Sequence, residues 1–204
     1  MSNIPEVLAQ RIGPLVDPFH EAFERSRHRV DTDYRGLVGE DQEWLRSHAI
    51  RGLLYQELTA SVKLPEGWGL AGNHRQNGMV NLTFGSGEVT LRVVHRLGDV
   101  VPPAGGNTGR RAFYSNRAIA DMSDPMMIET HRMLLCWADP DHEAAFELDV
   151  VRPLNAGSIR TEVRADIAIP LPRARTDFEN LSFDTFDDSE ELSFEIDVAD
   201  SDDE

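Results

Sequence analysis

Apolar residues recur every three or four positions through residues 1–62, which is the spacing of one face of an α-helix. The first such stripe comprises Ile4, Leu8, Ile12, Leu15, Phe19 and Phe23. Asp17 followed by Pro18 is typical of a helix start, so a break before Pro18 is predicted. A second stripe predicts a helix over about residues 40–58. These helices are expected to pack on a core.

The period changes to two near Pro65, where strands are expected to begin. Residues 80–84 alternate between apolar and polar, and the alternation resumes at Val89 after a Gly-Ser-Gly turn. This arrangement predicts a β-hairpin. The continuous apolar run at residues 133–137 predicts a strand that is covered on both faces.

Two more strands are expected after this run. Phe146, Leu148 and Val150 alternate as a return strand, and alternation over residues 159–169 predicts a long last strand. Adjacent hairpins without a strand-helix-strand alternation indicate an α+β fold, with N-terminal helices packed on a mainly antiparallel sheet. One domain is therefore expected, made of a helical segment (1–62) and a β-rich segment (63–172).

Negative charge is concentrated at the end of the chain. Residues 176–204 hold thirteen of the 36 Asp and Glu residues and no Lys or Arg, and the formal net charge of the chain is −16. Residues 173–204 are therefore expected to form an acidic tail without a fixed fold. The single cysteine, Cys136, excludes an internal disulfide, and no apolar run reaches membrane-spanning length. A cytoplasmic protein without a membrane partner is expected.

Apolar residues interrupt the acids of this tail. Leu181-Ser182-Phe183-Asp184 and Leu192-Ser193-Phe194-Glu195 form a repeat eleven residues apart. Aromatic anchors in an acidic segment are typical of a segment that binds a basic protein surface. The candidate partner-binding residues are Phe178, Leu181, Phe183, Asp184, Phe186, Leu192, Phe194 and Glu195. The alternative is a solvated tail that binds no partner.

Arginines and aromatic residues lie close together in the connector between the two hairpins, residues 102–125. A candidate patch for phosphate, nucleic acid or carboxylates consists of Arg110, Arg111, Phe113, Tyr114 and Arg117. The alternative is a loop whose aromatics anchor to the core and whose arginines pair with nearby acids. We hypothesise that the acidic tail folds back onto this patch and leaves when a basic partner or nucleic acid competes.

No catalytic or metal-binding motif is complete. His20-Glu21 and His142-Glu143 each begin a metallopeptidase motif and lack its second His. Residues 105–111 are glycine-rich but lack the Lys of a phosphate-binding loop, and Cys136 lies in an apolar strand, where a raised pKa and an inert thiol are expected. We therefore predict no catalytic residue, no metal and no cofactor. A metal-dependent nuclease that uses Glu88 is the remaining catalytic alternative.

The order of several segments carries a resemblance to known sequences. These segments are residues 64–68, residues 78–84, the connector from 102 to 114, residues 133–137 and Leu181-Ser182-Phe183. Their order resembles a group of largely uncharacterised proteins of actinobacteria and their phages. Such proteins are often encoded beside a prophage-immunity-type metallopeptidase that carries a helix-turn-helix regulator. The resemblance implies a regulatory or antitoxin-like companion that binds a protein partner, and it provides no catalytic residues to carry over.

Together these observations favour a non-enzymatic regulatory or antitoxin-like protein that binds a basic protein partner through its acidic tail. The partner would be a toxin, a metallopeptidase or a DNA-binding regulator. A nucleic-acid mimic that blocks a DNA-binding protein is the first alternative, and the nuclease is the second. Direct binding of nucleic acid by the whole chain is not expected, because the chain is net acidic.

Overall fold

Helices come first along the chain and strands follow. The computed structural model describes residues 4–36, 42–75, 78–96, 98, 100–121, 130–140, 144–158 and 160–182. The long helices are α1 (Ile4–Ile12), α2 (Val16–Asp33) and α3 (Glu43–Ala60), and a 3-10 turn at Gly13–Leu15 separates α1 from α2. The strands are β1 (Trp68–Ala71), β2 (Asn81–Phe84), β3 (Val89–His95), β4 (His131–Ala138), β5 (Glu147–Pro153) and β6 (Ala165–Pro170). Two short helices are α4 (Thr108–Tyr114) and α5 (Arg175–Glu179).

The six strands form one sheet in the order β1-β2-β3-β4-β5-β6. Four of the five neighbouring pairs are antiparallel, whereas β3 and β4 are parallel, with Val89 opposite His131 and His95 opposite Trp137. The helix α4 lies in the crossover between β3 and β4, so the chain contains a strand-helix-strand unit that the sequence analysis did not predict. The predicted α+β class, with N-terminal helices and a mainly antiparallel sheet, is confirmed.

The core lies mainly between the long helices and one face of the sheet. Met133, Leu135 and Trp137 of β4 point toward the helices, and the ring centroid of Trp137 is 5.3 Å from that of Phe23 in α2. Leu134 and Cys136 point to the other face, where they join a smaller cluster with Tyr114 of α4. The run at residues 133–137 is therefore covered on both faces, as predicted. Every helix among the described residues is too short or too polar to span a lipid bilayer.

The break in the N-terminal helices comes one turn earlier than predicted. The 3-10 turn contains Pro14, while Pro18 is the third residue of α2. A proline is tolerated there because the first four N–H groups of a helix have no intrahelical acceptor. The ring of Phe178 in α5 packs directly against this turn. A Cβ at Gly13 would lie 2.6 Å from Cε1 of Phe178. Only a glycine lets this ring approach the junction so closely.

The last strand is shorter than predicted. β6 begins at Ala165, because the described residues between β5 and β6 form a loop in which Leu154 N–H donates to the Arg164 carbonyl at 2.8 Å. The side chain of Asn155 accepts a further hydrogen bond from Arg164 N–H at 2.9 Å. An Asn side chain that bonds nearby backbone offers an alternative to the strand ladder. Residue 159, at the start of the predicted strand, lies outside the described residues.

Candidate functional site

The aromatic residues of the predicted arginine patch are structural. Tyr114 is fully buried, and its hydroxyl donates to the Pro102 carbonyl at 3.0 Å. Burial raises the pKa of this hydroxyl, although Arg110 opposes the shift. Phe113 is half-buried against the same cluster. The prediction that Tyr114 is available to stack on a base is therefore wrong, because its ring anchors α4 to the sheet.

The three arginines of the predicted patch do not form one surface. Arg111 and Arg117 are exposed, whereas Arg110 is half-buried, with its guanidinium carbon 5.9 Å from the Tyr114 ring centroid. The backbone carbonyl of Arg117 accepts a hydrogen bond from the buried Arg152 at 2.8 Å, which ties the connector to the sheet. Of the three, Arg110 lines a cleft between the described parts of the chain.

A cleft of about 490 Å³ opens at the carboxyl end of β3. The register of β2 with β3 ends at Arg92, and the next backbone bond runs from Val93 N–H to the Val80 carbonyl at 2.9 Å. β3 continues to His95, so its last residues extend past the end of β2. Residues from both layers of the fold can therefore meet there. A cleft of this size is within the range of about 300–1,000 Å³ that is usual for ligand sites.

Three arginines from three different elements line this cleft, which we call the arginine cleft: Arg51 from α3, Arg92 from β3 and Arg110 from α4. All three are half-buried. Strand alternation places Arg92 on the same face of the sheet as Val94, which packs in the cluster beside α4. The side chain of Asn107 accepts a hydrogen bond from Arg110 N–H at 2.9 Å, which caps α4 and fixes the position of Arg110.

The charges in the arginine cleft repel one another. Burial is the largest cause that lowers the pKa of Arg92, and the charges of Arg110 and Arg51 lower it further. Burial and the charge of Arg110 lower the pKa of Arg51 in the same way. Within the described part of the chain, no carboxylate is among the groups that shift the pKa of Arg92, and the buried Nε of Arg110 has no hydrogen-bond partner. Arginine nevertheless stays protonated, so all three side chains are positively charged.

His95 adds a neutral polar group to the same cleft. Its Nε2 lies 3.5 Å from the Ser47 hydroxyl, and its ring centroid is 4.3 Å from that of Trp137. Burial lowers the pKa of His95 below its ordinary value of 6.5, and the charge of Glu43 opposes this shift. The imidazole is therefore uncharged at neutral pH and can offer a hydrogen bond without adding a fourth positive charge.

Arginines elsewhere in the interior face carboxylates. The guanidinium of Arg27 lies 3.1 Å from Asp139, and Arg152, which is 1% exposed, bonds Asp166. Arg96 contacts Asp149 at 2.6 Å. Such pairs compensate their own charge, as expected for structural arginines. Arg92 differs from these structural arginines, because no carboxylate is among the described groups that shift its pKa.

The predicted tail residues divide into two groups. Phe178 is only 5% exposed and packs in the main core through α5, so its predicted role in partner binding is wrong. α5 lies within the segment assigned to the tail, so the fold extends past residue 173. Leu181 is 38% exposed. The remaining candidates lie outside the described residues: Phe183, Asp184, Phe186, Leu192, Phe194 and Glu195.

The residues considered for metal or nucleophilic chemistry have other contacts. Glu88 forms an ion pair with Arg11 at 2.8 Å, and His20 Nε2 lies 2.9 Å from the Leu171 carbonyl. Burial raises the pKa of Cys136 far above its usual range, as predicted for a thiol in an apolar strand. Within the described residues, no group of three His, Cys, Asp or Glu side chains is placed to hold a metal ion. His142 and Glu143 lie outside those residues.

Sequence reasoning singled out Arg110 and missed the other two arginines of the cleft. A charged residue between Leu91 and Val93 in a strand was the available signal for Arg92. Arg51 gave no comparable signal, because it lies on a helix whose charged positions usually face water. No protein-family model, curated protein or solved structure matches this chain, so its function rests on the geometry of its own residues.

Proposed function

We propose that this protein is a non-enzymatic binding protein whose arginine cleft holds the anionic group of a ligand. The observation that carries the proposal is the convergence of three half-buried arginines, from α3, β3 and α4, in one cleft. Like charges held together in a partly dry site cost free energy, which a bound anion offsets. A guanidinium can donate two parallel hydrogen bonds to a carboxylate or a phosphate, so these are the expected chemical groups.

The test is to titrate two anions into the protein and measure the heat of binding at low ionic strength. Pyrophosphate represents phosphate ligands, and citrate represents carboxylate ligands. The titration is run on the wild-type chain and on an amide-tail variant, in which every Asp and Glu of residues 183–204 is replaced by Asn or Gln. This full-length variant removes the tail's own carboxylates as competitors. The Kd should rise as salt is added, because screening weakens the attraction between the anion and the arginines.

Two neighbouring arginines provide the matched comparison. Arg110→Gln and Arg92→Gln should each weaken the binding of the anion by about 10-fold or more, since a hydrogen bond to a charged group contributes about 1.5–3 kcal/mol. Arg111→Gln removes the same charge from the same helix but from an exposed position outside the cleft. An equal loss with Arg111→Gln, or no anion binding by the amide-tail variant, would overturn the proposal.

A second candidate function is supported by the composition of the tail. We propose that residues 183–204 bind a basic protein, because eleven Asp and Glu residues there alternate with apolar residues that include Phe183, Phe186 and Phe194. Charge would bring the partner close, and the aromatic rings would fill pockets on its surface. The regulatory or antitoxin-like role inferred from sequence belongs to this proposal.

The tail proposal is tested by capturing partners from the native host with three full-length proteins. The wild-type chain should retain a specific basic protein, which the double variant Phe183→Ser/Phe194→Ser should lose. A variant with the tail residues in scrambled order keeps the charge and changes the spacing of the rings. Retention by the double variant would contradict the proposal, and retention by the scrambled tail would favour a nucleic-acid mimic that acts through charge alone.

A further inference from the structure

We infer that the arginine cleft of the ligand-free protein is occupied by the acidic end of the same chain, residues 183–204. This inference rests on the proposed function, because it names the occupant of the same anion site. It differs from the hypothesis drawn from the sequence in the surface that receives the tail. The receiving arginines are Arg51, Arg92 and Arg110, whereas Arg111 and Arg117 lie exposed outside the cleft.

The charges of the two parts are complementary. The cleft brings together three arginines whose charges repel one another. Residues 183–204 contain eleven carboxylates and no Lys or Arg. Runs of adjacent acids, Glu190-Glu191 and Asp202-Asp203-Glu204, can present neighbouring carboxylates to guanidinium groups. Such contacts are charge-assisted hydrogen bonds, which are about twice as strong as neutral ones.

The segment is long enough to reach the cleft. The last described helix, α5, packs through Phe178 on Gly13, next to the start of α2. The arginine cleft lies toward the other end of α2, because α3 carries Arg51 and contacts that end through the Arg46–Asp31 ion pair. α2 has 18 residues and is about 27 Å long. A segment of 22 residues spans up to roughly 70 Å when extended, so it can cover this distance.

Tethering makes even a weak contact effective. A segment attached by a flexible linker acts at an effective concentration on the order of 1 mM. If the separate segment binds the cleft with a Kd of about 0.1 mM, the tether keeps most clefts filled and weakens an external anion about 10-fold. A basic protein that takes the tail then opens the cleft. Binding at the tail and at the cleft is therefore coupled in both directions.

The experiment compares the Kd of pyrophosphate for three full-length proteins at low ionic strength: wild type, the amide-tail variant and the scrambled tail. The amide-tail variant should bind pyrophosphate about 10-fold more tightly than wild type, and the scrambled tail should match wild type because its charge is kept. The difference should shrink as salt is added. Equal affinities of wild type and the amide-tail variant would overturn the inference.

A failure of this inference can be told from a failure of the proposed function. If wild type and the amide-tail variant bind pyrophosphate equally, and Arg110→Gln weakens both, then the cleft is an anion site that the tail does not occupy. If the amide-tail variant shows no binding that depends on Arg110, both proposals fail.

A synthetic peptide of residues 183–204 supplies a direct second measurement. Added to the amide-tail variant, it should bind and compete with pyrophosphate. Its binding should weaken about 10-fold with Arg110→Gln and stay unchanged with Arg111→Gln, since Arg110 lines the cleft and Arg111 does not. Equal binding to both variants would show that the peptide recognises net charge, and it would overturn the inference.

Discussion

Replacing Phe178 by alanine tests whether this residue belongs to the core or to the acidic tail. Its ring is 5% exposed and fills the space beside Gly13, where it holds α5 on the junction of α1 and α2. A residue that served only to contact a partner could be truncated without loss of stability. The packing in the structure predicts a large loss instead.

The magnitude follows from the buried surface. Truncation of Phe to Ala removes about 120 Å² of buried apolar surface, which is about 3 kcal/mol at 25 cal/mol per Å². The cavity that remains adds to this loss where the site does not collapse. For a domain of this size, a loss of about 3 kcal/mol lowers Tm by about 6–12 °C. The midpoint of unfolding in urea should fall by about 1–2 M.

The assay is unfolding in urea followed by tryptophan fluorescence, because the buried Trp137 reports on the main core. Leu181→Ala is the matched control, since Leu181 is the next apolar residue of the segment and is 38% exposed. Its midpoint should change little. An unchanged midpoint for Phe178→Ala, or equal shifts for both variants, would refute the assignment of Phe178 to the core.

Three further predictions concern buried groups. Arg152→Met should lower the unfolding free energy by about 3–5 kcal/mol, because it leaves the carboxylate of Asp166 without its main partner. Arg160→Gln, at an exposed position, is the control, and an equally small loss of unfolding free energy in both variants would contradict the prediction. Burial lowers the pKa of His95, so its contribution to the unfolding free energy should be fully present above pH 6.5 and should be lost as the pH falls below that value. The urea midpoint of His95→Gln should therefore depend less on pH over that range than the midpoint of the wild type. Cys136 should react with iodoacetamide only after unfolding, and rapid labelling of the native protein would refute its burial.

Local patterns were sufficient to predict much of the fold. The Gly-Ser-Gly turn between two alternating segments correctly predicted the β2–β3 hairpin, because turn and strand signals lie within a few residues of each other. The apolar run at residues 133–137 likewise marked β4. The parallel pairing of β3 with β4 could not be predicted in this way. It depends on a long crossover in which α4, the longest described helix, has only seven residues.

The site was harder to predict than the fold, because its residues meet only through tertiary structure. Arg51, Arg92 and Arg110 lie on three elements, and none of them belongs to a motif that includes the others. Phe178 was misassigned for a related reason. It lies between the acidic neighbours Asp177 and Glu179, so its segment resembles the tail in composition although one ring anchors it.

The position of the parallel pair has a consequence for how the molecule folds. On either side of it, three consecutive strands pair antiparallel through short connections, whereas joining β3 to β4 requires closure of the whole stretch between His95 and His131. Closing longer loops costs more chain entropy, so we expect the two local units to form early and to dock late. Arg92 belongs to the first unit and Arg110 to the crossover. The arginine cleft would then be completed only with the last docking step, so that a partly folded chain lacks the proposed anion site.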